Sequence, residues 1–315
     1  MARIGALIVG TGLIARFHAQ AVKASDKLTL AGFCGRDPAK ARALAAEFGG
    51  MAFDDLDEAM SAPEVDMAVV ATASGAHDEA VFAAARHRVP VLVEKPIAIT
   101  VARAEAMIAA CRETGTPLGG IFQTRWSDEF QNARRRLESG ELGRITFASV
   151  RVPWWRADEY YTKSSWHGTW AMDGGGALIN QSIHMVDWLT ALMPPVVDVK
   201  AFAAALAHPI EAEDTVSAAI LFEGGALGAV YAATSSFPGR GKYLEITGTQ
   251  GTLEIRDDGH GTSRPDQLAF DQHRQCFEAF ADSLAGGESY PIAGEEAAKS
   301  VALIERIYRS AGIRA

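Results

Sequence analysis

Cysteine is scarce in this chain. Only 3 occur among 315 residues (Cys34, Cys111 and Cys276), widely separated and without CxxC spacing, so neither a zinc ribbon nor a disulfide framework is encoded. Long apolar runs are also missing, and none approaches the roughly 18–20 residues of a membrane-spanning helix. The apolar run from Ile4 to Val9 is too brief for a signal-peptide core and leads into a glycine turn rather than a cleavage site. Positive charge is not in excess: 30 basic residues face 39 acidic ones, a net charge of −9 with no basic block. That balance argues against nucleic acid or an anionic membrane surface as the main partner. A reducing, cytoplasmic setting fits these absences. What remains is ordinary globular composition, 48% hydrophobic and 22% charged, in a chain long enough for two domains.

The N-terminal third alternates strands and helices. The strand Ile4 to Val9 runs into Gly10-Thr-Gly12-Leu13-Ile14-Ala15, and a helix-permissive, alanine-rich stretch follows to Ala24. This is the strand–turn–helix context of a dinucleotide fingerprint. Gly10 allows the tight turn, Gly12 lets the backbone approach a pyrophosphate, and Ala15 permits close helix–strand packing. The helix N-terminus through Leu13 and Ile14 offers free N–H groups to the anion.

A second strand, Leu28 to Cys34, ends where such folds read the adenosine ribose. Gly35 stands at the position of the usual carboxylate and Arg36 is next to it, which suits a 2′-phosphate and favours NADP over NAD. Asp37 keeps a ribose acceptor open as an alternative, although Asp37-Pro38 also has the form of a helix cap.

Further strands are expected at Val65 to Ala71, Val89 to Val93 and Pro117 to Phe122. Helices are expected at Ala39 to Phe48, Ala76 to Arg88 and Thr100 to Thr114, with a short acidic helical turn at Asp54 to Met60. The pattern means a doubly wound parallel sheet, whose ligands lie beyond the carboxyl ends of its strands. Thr72, Ser74, His77, Glu94, Lys95 and Gln123 all fall there. Lys95 is the odd one, a charge placed directly after a buried apolar strand and followed at once by Pro96.

Downstream, a strand at Ile145 to Val152 leads into an aromatic loop. Four of the 6 tryptophans (Trp154, Trp155, Trp166, Trp170) lie here with Tyr160 and Tyr161, interleaved with polar residues. Flat aromatic faces beside hydrogen-bonding groups suit a sugar or cyclic polyol; self-packing or a subunit contact is the competing explanation. Next comes Gly174-Gly175-Gly176-Ala-Leu-Ile-Asn180-Gln-Ser-Ile-His184-Met-Val-Asp187. Read as one α-helix, it sets Asn180, His184 and Asp187 on a single face, around a histidine suited to acid–base work. Strands at Val196 to Leu206, Asp214 to Phe222, Ala226 to Ser235, Leu244 to Thr247 and Thr252 to Ile255 follow. Glycine turns make short antiparallel connections among the last four. Asp257 to Pro265 reads as a polar loop, and helices at Gln272 to Leu284 and Glu295 to Ala311 close the chain.

Gly10-Thr-Gly12-Leu-Ile-Ala15, Val91-Leu-Val-Glu94-Lys95-Pro96 and the later glycine-rich histidine motif together resemble the Gfo/Idh/MocA oxidoreductases over nearly the whole chain. The resemblance implies a Rossmann domain (1–122) that binds NAD(P), and a C-terminal α/β domain (123–315) with a large, mostly antiparallel open sheet through which members associate as homo-oligomers. It places Lys95 beside nicotinamide and substrate, and makes His184 the acid–base group of a GGGxLxDxxxHxxD motif. Asn180 departs from that motif, standing where many members carry aspartate. A mechanism that needs that carboxylate is thereby in question.

The expectation is hydride transfer between the cofactor and a sugar, sugar derivative or polyol, with Lys95 and His184 catalytic and meeting in one cleft. In this reading Asn180 and Asp187 orient His184 or substrate hydroxyls, and Arg125, Trp155 and Tyr161 line the substrate pocket. Gly10, Gly12, Leu13, Ile14, Arg36, Thr72, His77, Glu94 and Lys95 hold the cofactor. No metal is required, because lysine and histidine supply the polarisation. A non-catalytic NAD(P)- and sugar-binding regulator, or an NADPH-dependent aldehyde or imine reductase, are the alternatives.

Overall fold

The fold is taken from a computed structural model, which describes residues 3–163, 165–256 and 270–314. The polar loop expected at Asp257 to Pro265 lies outside the described residues. Two compact units emerge: the described residues within Met1–Gln123 and Pro265–Ala298 form one, and those within Thr124–Arg264 and Lys299–Ala315 form the other.

The first unit is built on six strands, β1 (Ile4–Val9), β2 (Leu28–Cys34), β3 (Met51–Phe53), β4 (Met67–Val70), β5 (Val91–Val93) and β6 (Leu118–Gly120). All are parallel, in the order β3-β2-β1-β4-β5-β6. The helices between them are α1 (Leu13–Lys23), α2 (Pro38–Phe48), α3 (Leu56–Ser61), α4 (His77–His87) and α5 (Val101–Thr114). β4 and β5 are apolar throughout and fully buried, as strands covered on both faces must be. The strand order reverses between β1 and β4, which opens the crevice where such sheets take ligands. β3 was not anticipated, because three residues are too few to show a period.

The expected division at 122/123 treats everything downstream as one domain, and the chain departs from it. After the second unit it returns: α9 (Asp271–Leu284) and the start of α10 (Gly294–Ser310) belong with the first. The physical reason is an edge. Gly120 donates its N–H to Ile292 O at 2.8 Å, and Tyr290 Oη donates to Gly120 O at 2.8 Å, so the returning segment covers β6. Gly119 and Gly120 permit this approach, since a Cβ on Gly120 would stand 2.4 Å from the Ala297 Cβ.

The second unit carries α6 (Asp128–Glu138), β7 (Ile145–Pro153), α7 (Asp158–Thr162), α8 (Ile183–Leu192), β8 (Val196–Ala204), β9 (Thr215–Phe222), β10 (Leu227–Ala233), β11 (Tyr243–Gly248) and β12 (Thr252–Arg256). Its sheet runs β12-β11-β7-β10-β9-β8. The hairpins β9–β10 and β11–β12 are antiparallel as expected, but β7 lies between β10 and β11 and pairs parallel with β10. Alternate residues of β8 and β9 are buried, so one face of the sheet is packed and the other is open.

The single helix expected to carry Asn180, His184 and Asp187 is instead two segments. Ala177–Gln181 is π-helical and α8 starts only at Ile183. Ser182 donates its N–H to Ala177 O at 3.0 Å, the longer π spacing. The one-face premise for these three residues therefore fails.

Candidate functional site

The Gly10 turn meets the steric demands of the fingerprint. Gly10 has φ +125°, and a Cβ there would stand 2.4 Å from Ala71 O at the end of β4. Gly12 is the N-cap of α1, with no side chain capping the helix, and a Cβ there would meet nothing within 4 Å. Uncapped N–H groups facing open space are what a pyrophosphate needs, and Ala15 is fully buried beneath them. The residues present thus fit a dinucleotide. Leu13 is exposed and Ile14 half-buried at the same helix start. Arg36 is exposed just past β2. Asp37 accepts from the N–H groups of Ala39 and Lys40, so its carboxylate caps α2, the reading that competed with a ribose acceptor.

At the ends of β4 and β5 the expected residues sort into two kinds. Lys95 is half-buried, and its peptide bond to Pro96 is cis. Thr72, also half-buried, donates its hydroxyl to Ala76 O at 3.1 Å. His77 is buried, with Nδ1 3.0 Å from Pro96 O and Nε2 3.2 Å from Thr72 O. Each ring nitrogen faces a backbone carbonyl; burial lowers the ring's pKa, and the neutral ring donates its single N–H to one of the two. Glu94 is also turned inward: Oε1 meets His18 Nε2 at 2.9 Å and Oε2 accepts the Lys95 N–H at 3.0 Å. These geometries correct the reading of His77 and Glu94 as side chains that touch cofactor. They brace the loops that carry Thr72 and Lys95.

In the second unit the glycine triplet exists for a backbone. A Cβ on Gly176 would stand 2.0 Å from Glu213 O, and one on Gly175 would stand 2.2 Å from the Tyr308 hydroxyl. Glu213 is buried and caps the π-helical entry, accepting from Gly176 N at 2.9 Å, Leu178 N at 2.8 Å and Tyr308 Oη at 3.0 Å. Burial pushes its carboxyl up to about 7 despite those donors.

His184, half-buried near the start of α8, has Nδ1 3.5 Å from Thr124 Oγ1, the outer limit of a hydrogen bond. The same hydroxyl oxygen accepts Trp188 Nε1–H at 3.0 Å. Asn180 donates its amide to Asp173 Oδ1 at 2.7 Å, and Asp173 Oδ2 accepts the Gly168 N–H at 2.9 Å.

Asp187 and Arg125 do not fit the substrate role expected of them. Asp187 is fully buried and its two oxygens take Arg125 Nε at 2.8 Å and Nη2 at 2.6 Å, a bidentate internal ion pair. Tyr161 is likewise buried, its hydroxyl 2.7 Å from Thr234 Oγ1, against the expectation of a substrate contact. Trp155 is half-buried between the rings of His208 and Phe237. The aromatic loop therefore packs largely on itself: Tyr160 stacks on His167 with centroids 4.4 Å apart, and Arg156 lies over Trp154 and Tyr160. Arg156 also donates through Nε and Nη2 to Gln181 Oε1, while Gln181 Nε2 donates to Tyr160 Oη.

His18, His273, Asp173, Gln181 and Glu213 all escaped the sequence reading. The one available signal was Glu213-Asp214, two adjacent acids entering an apolar strand, where unsatisfied carboxylates would be costly.

A six-stranded parallel sheet of this order, with an uncapped glycine turn at its switch point, defines a dinucleotide-binding domain. A family model described as oxidoreductase family, NAD-binding Rossmann fold, matches residues 4–120, and the GFO/IDH/MocA C-terminal domain matches residues 130–254. The WlbA dehydrogenase from Bordetella pertussis, solved with NADH and UDP-GlcNAcA, superposes with a TM-score of 0.91 at 33% identity, covering 99% of this chain and 97% of that one. A myo-inositol dehydrogenase from Streptomyces leeuwenhoekii is 30% identical over 302 residues, 91% of this chain and 90% of the relative. A D-apiose dehydrogenase from Paraburkholderia graminis is 26% identical over 341 residues, 98% of this chain and 88% of the relative. The chain belongs to the Gfo/Idh/MocA family of NAD(P)-dependent oxidoreductases.

Proposed function

We propose that this protein oxidises or reduces a hydroxyl or keto carbon of a sugar, sugar derivative or cyclic polyol. The observation that carries the proposal is Lys95, half-buried directly after β5 on a braced backbone, in a chain whose relatives are named for inositol, apiose and nucleotide-sugar substrates. The nicotinamide, when bound, supplies or accepts the hydride. Lys95 holds the substrate oxygen and stabilises the negative charge that develops there. His184 removes the hydroxyl proton in oxidation and returns it in reduction. Trp155 and Asn180, each half-buried, are the remaining candidates to border the substrate.

Arg36, exposed just past β2, supports a preference for NADP, because its guanidinium can pair with a 2′-phosphate. Phe202 and Leu227, 86% and 56% exposed on the open face of the sheet, support association of two or more copies through that face.

The test is nicotinamide absorbance with both cofactors against a panel of aldoses, inositols and sugar acids. Turnover of at least one panel member supports the proposal. Tight cofactor binding with no absorbance change across the panel would instead fit a regulator, and turnover confined to aldehydes or imines a reductase of that class.

A further inference from the structure

Glu94 is 7% exposed, and its two oxygens do different work. Oε2 accepts the backbone N–H of Lys95 at 3.0 Å, and Oε1 meets Nε2 of His18 at 2.9 Å. His18 is fully buried on α1, the helix that starts at the Gly10 turn. His273, buried on α9, brings Nε2 to 3.7 Å from the same Oε1, too far for a direct hydrogen bond. Phe277 meets the His18 ring edge-on at 5.2 Å and closes the pocket.

We propose that His18 is a positioning residue for Lys95: acting through Glu94, it ties the cofactor-binding helix to the peptide that carries the lysine. The proposal rests on the role given to Lys95 above. A buried carboxylate is costly unless both oxygens are satisfied, and here one bond goes to each neighbour that matters. Burial alone would raise the Glu94 pKa, but hydrogen bonding from His18 and the nearness of His273 hold it well below the ordinary carboxylate range. Burial lowers the pKa of His18, so a neutral ring donates Nε2–H to an ionised Glu94. The link runs from β5 to α1 without using the surface, so it constrains the Lys95 peptide however that side chain is engaged.

The same three side chains are a donor set that could bind zinc, with ligand atoms within 4.8 Å of one another. Two features favour the hydrogen-bonded reading. Nε2 and Oε1 already stand at a direct hydrogen-bond distance, and Oε2 is committed to a backbone N–H.

The experiment compares His18→Phe, His18→Gln, Glu94→Gln and Lys95→Met in the full chain. It measures kcat and KM on a panel substrate, the cofactor dissociation constant by fluorescence, and metal content by mass spectrometry. A displacement of the lysine on the order of 1 Å costs about 100-fold, so His18→Phe should lower kcat by roughly 10- to 100-fold. Its cofactor affinity should stay within about 3-fold, and His18→Gln, which restores a donor, should recover most of the kcat. If His18→Phe does not fold, Glu94→Gln carries the test with the same expected kcat loss and retained cofactor affinity.

Wild-type kcat in both His18→Phe and Glu94→Gln, with turnover lost in Lys95→Met, would overturn the positioning role and leave the proposed function standing. Parallel loss of cofactor affinity and kcat that His18→Gln does not restore would overturn it in favour of a purely structural role. One equivalent of metal per chain that disappears in His18→Phe would replace it with a metal site. Wild-type turnover in Lys95→Met would sink the functional reading itself.

Discussion

Asn180 donates its side-chain amide to Asp173 Oδ1 across 2.7 Å, and Asp173 is almost fully buried. The pair gives the amide at 180 a structural use that a carboxylate could not fill without a proton. An aspartate at 180 would set two carboxylates at hydrogen-bonding distance, and both cannot remain ionised. Asn180→Asp should therefore destabilise the protein at neutral pH by about 1–3 kcal/mol. The pair would hold a proton more tightly when folded than unfolded, so the deficit should shrink as pH falls toward the carboxylate range. Melting temperatures of wild type and Asn180→Asp between pH 8 and pH 5, roughly the span over which such pairs titrate, check the sign.

Arg125 and Asp187 form a buried bidentate pair, and removing one partner leaves the other charged and unsolvated. Arg125→Met or Asp187→Leu alone should cost about 3–5 kcal/mol, and the double substitution considerably less. A double-mutant cycle by thermal or urea unfolding measures this. If the pair is structural, the folded double variant keeps its substrate KM within about 3-fold of wild type, a change worth well under 1 kcal/mol.

Glu213 titrates from about 7 in the folded chain against an ordinary 4.5. Its folded pKa is raised, so the stability it contributes is full below the unfolded pKa and is lost as pH rises through about 7. The shift corresponds to roughly 3 kcal/mol across that window. Glu213→Gln should flatten this part of the pH–stability profile. It should also lower overall stability by about 1–3 kcal/mol, because the new NH2 group faces a backbone donor at Gly176 or Leu178.

Arg36→Ala tests the cofactor preference. A charge-assisted bond to a 2′-phosphate contributes about 1.5–3 kcal/mol, so affinity for NADP(H) should fall roughly 10- to 100-fold. Affinity for NAD(H) should stay within about twofold, as it lacks the phosphate that Arg36 would contact. Calorimetric titration with each cofactor separates the two outcomes.

The first unit was legible because its signals are local. A buried strand of continuous Val and Ala shows as a run, Gly10 is fixed by a close approach that only glycine tolerates, and Thr100 and Asp37 announce helices by capping them. The return of α9 to that unit was not legible, because covering the edge of β6 is a long-range event with no periodic trace. The π-helical turn at Ala177–Gln181 defeated the one-face reading for a related reason: it is set by Glu213, more than thirty residues downstream, gripping two backbone N–H groups. Charge was misleading where it was buried. Arg125, Asp187, His77 and Glu94 look like ligand-seeking residues in a one-dimensional reading, yet each is satisfied inside its own unit. Lys95 and His184, by contrast, are each half-buried in their own unit.

The most direct test of the account is the single-turnover rate of nicotinamide reduction by a panel sugar or inositol in Lys95→Met, with cofactor saturating. The account predicts a loss of at least about 100-fold, some 2.7 kcal/mol of transition-state stabilisation, with cofactor affinity retained. A rate in Lys95→Met within a few-fold of wild type would contradict it.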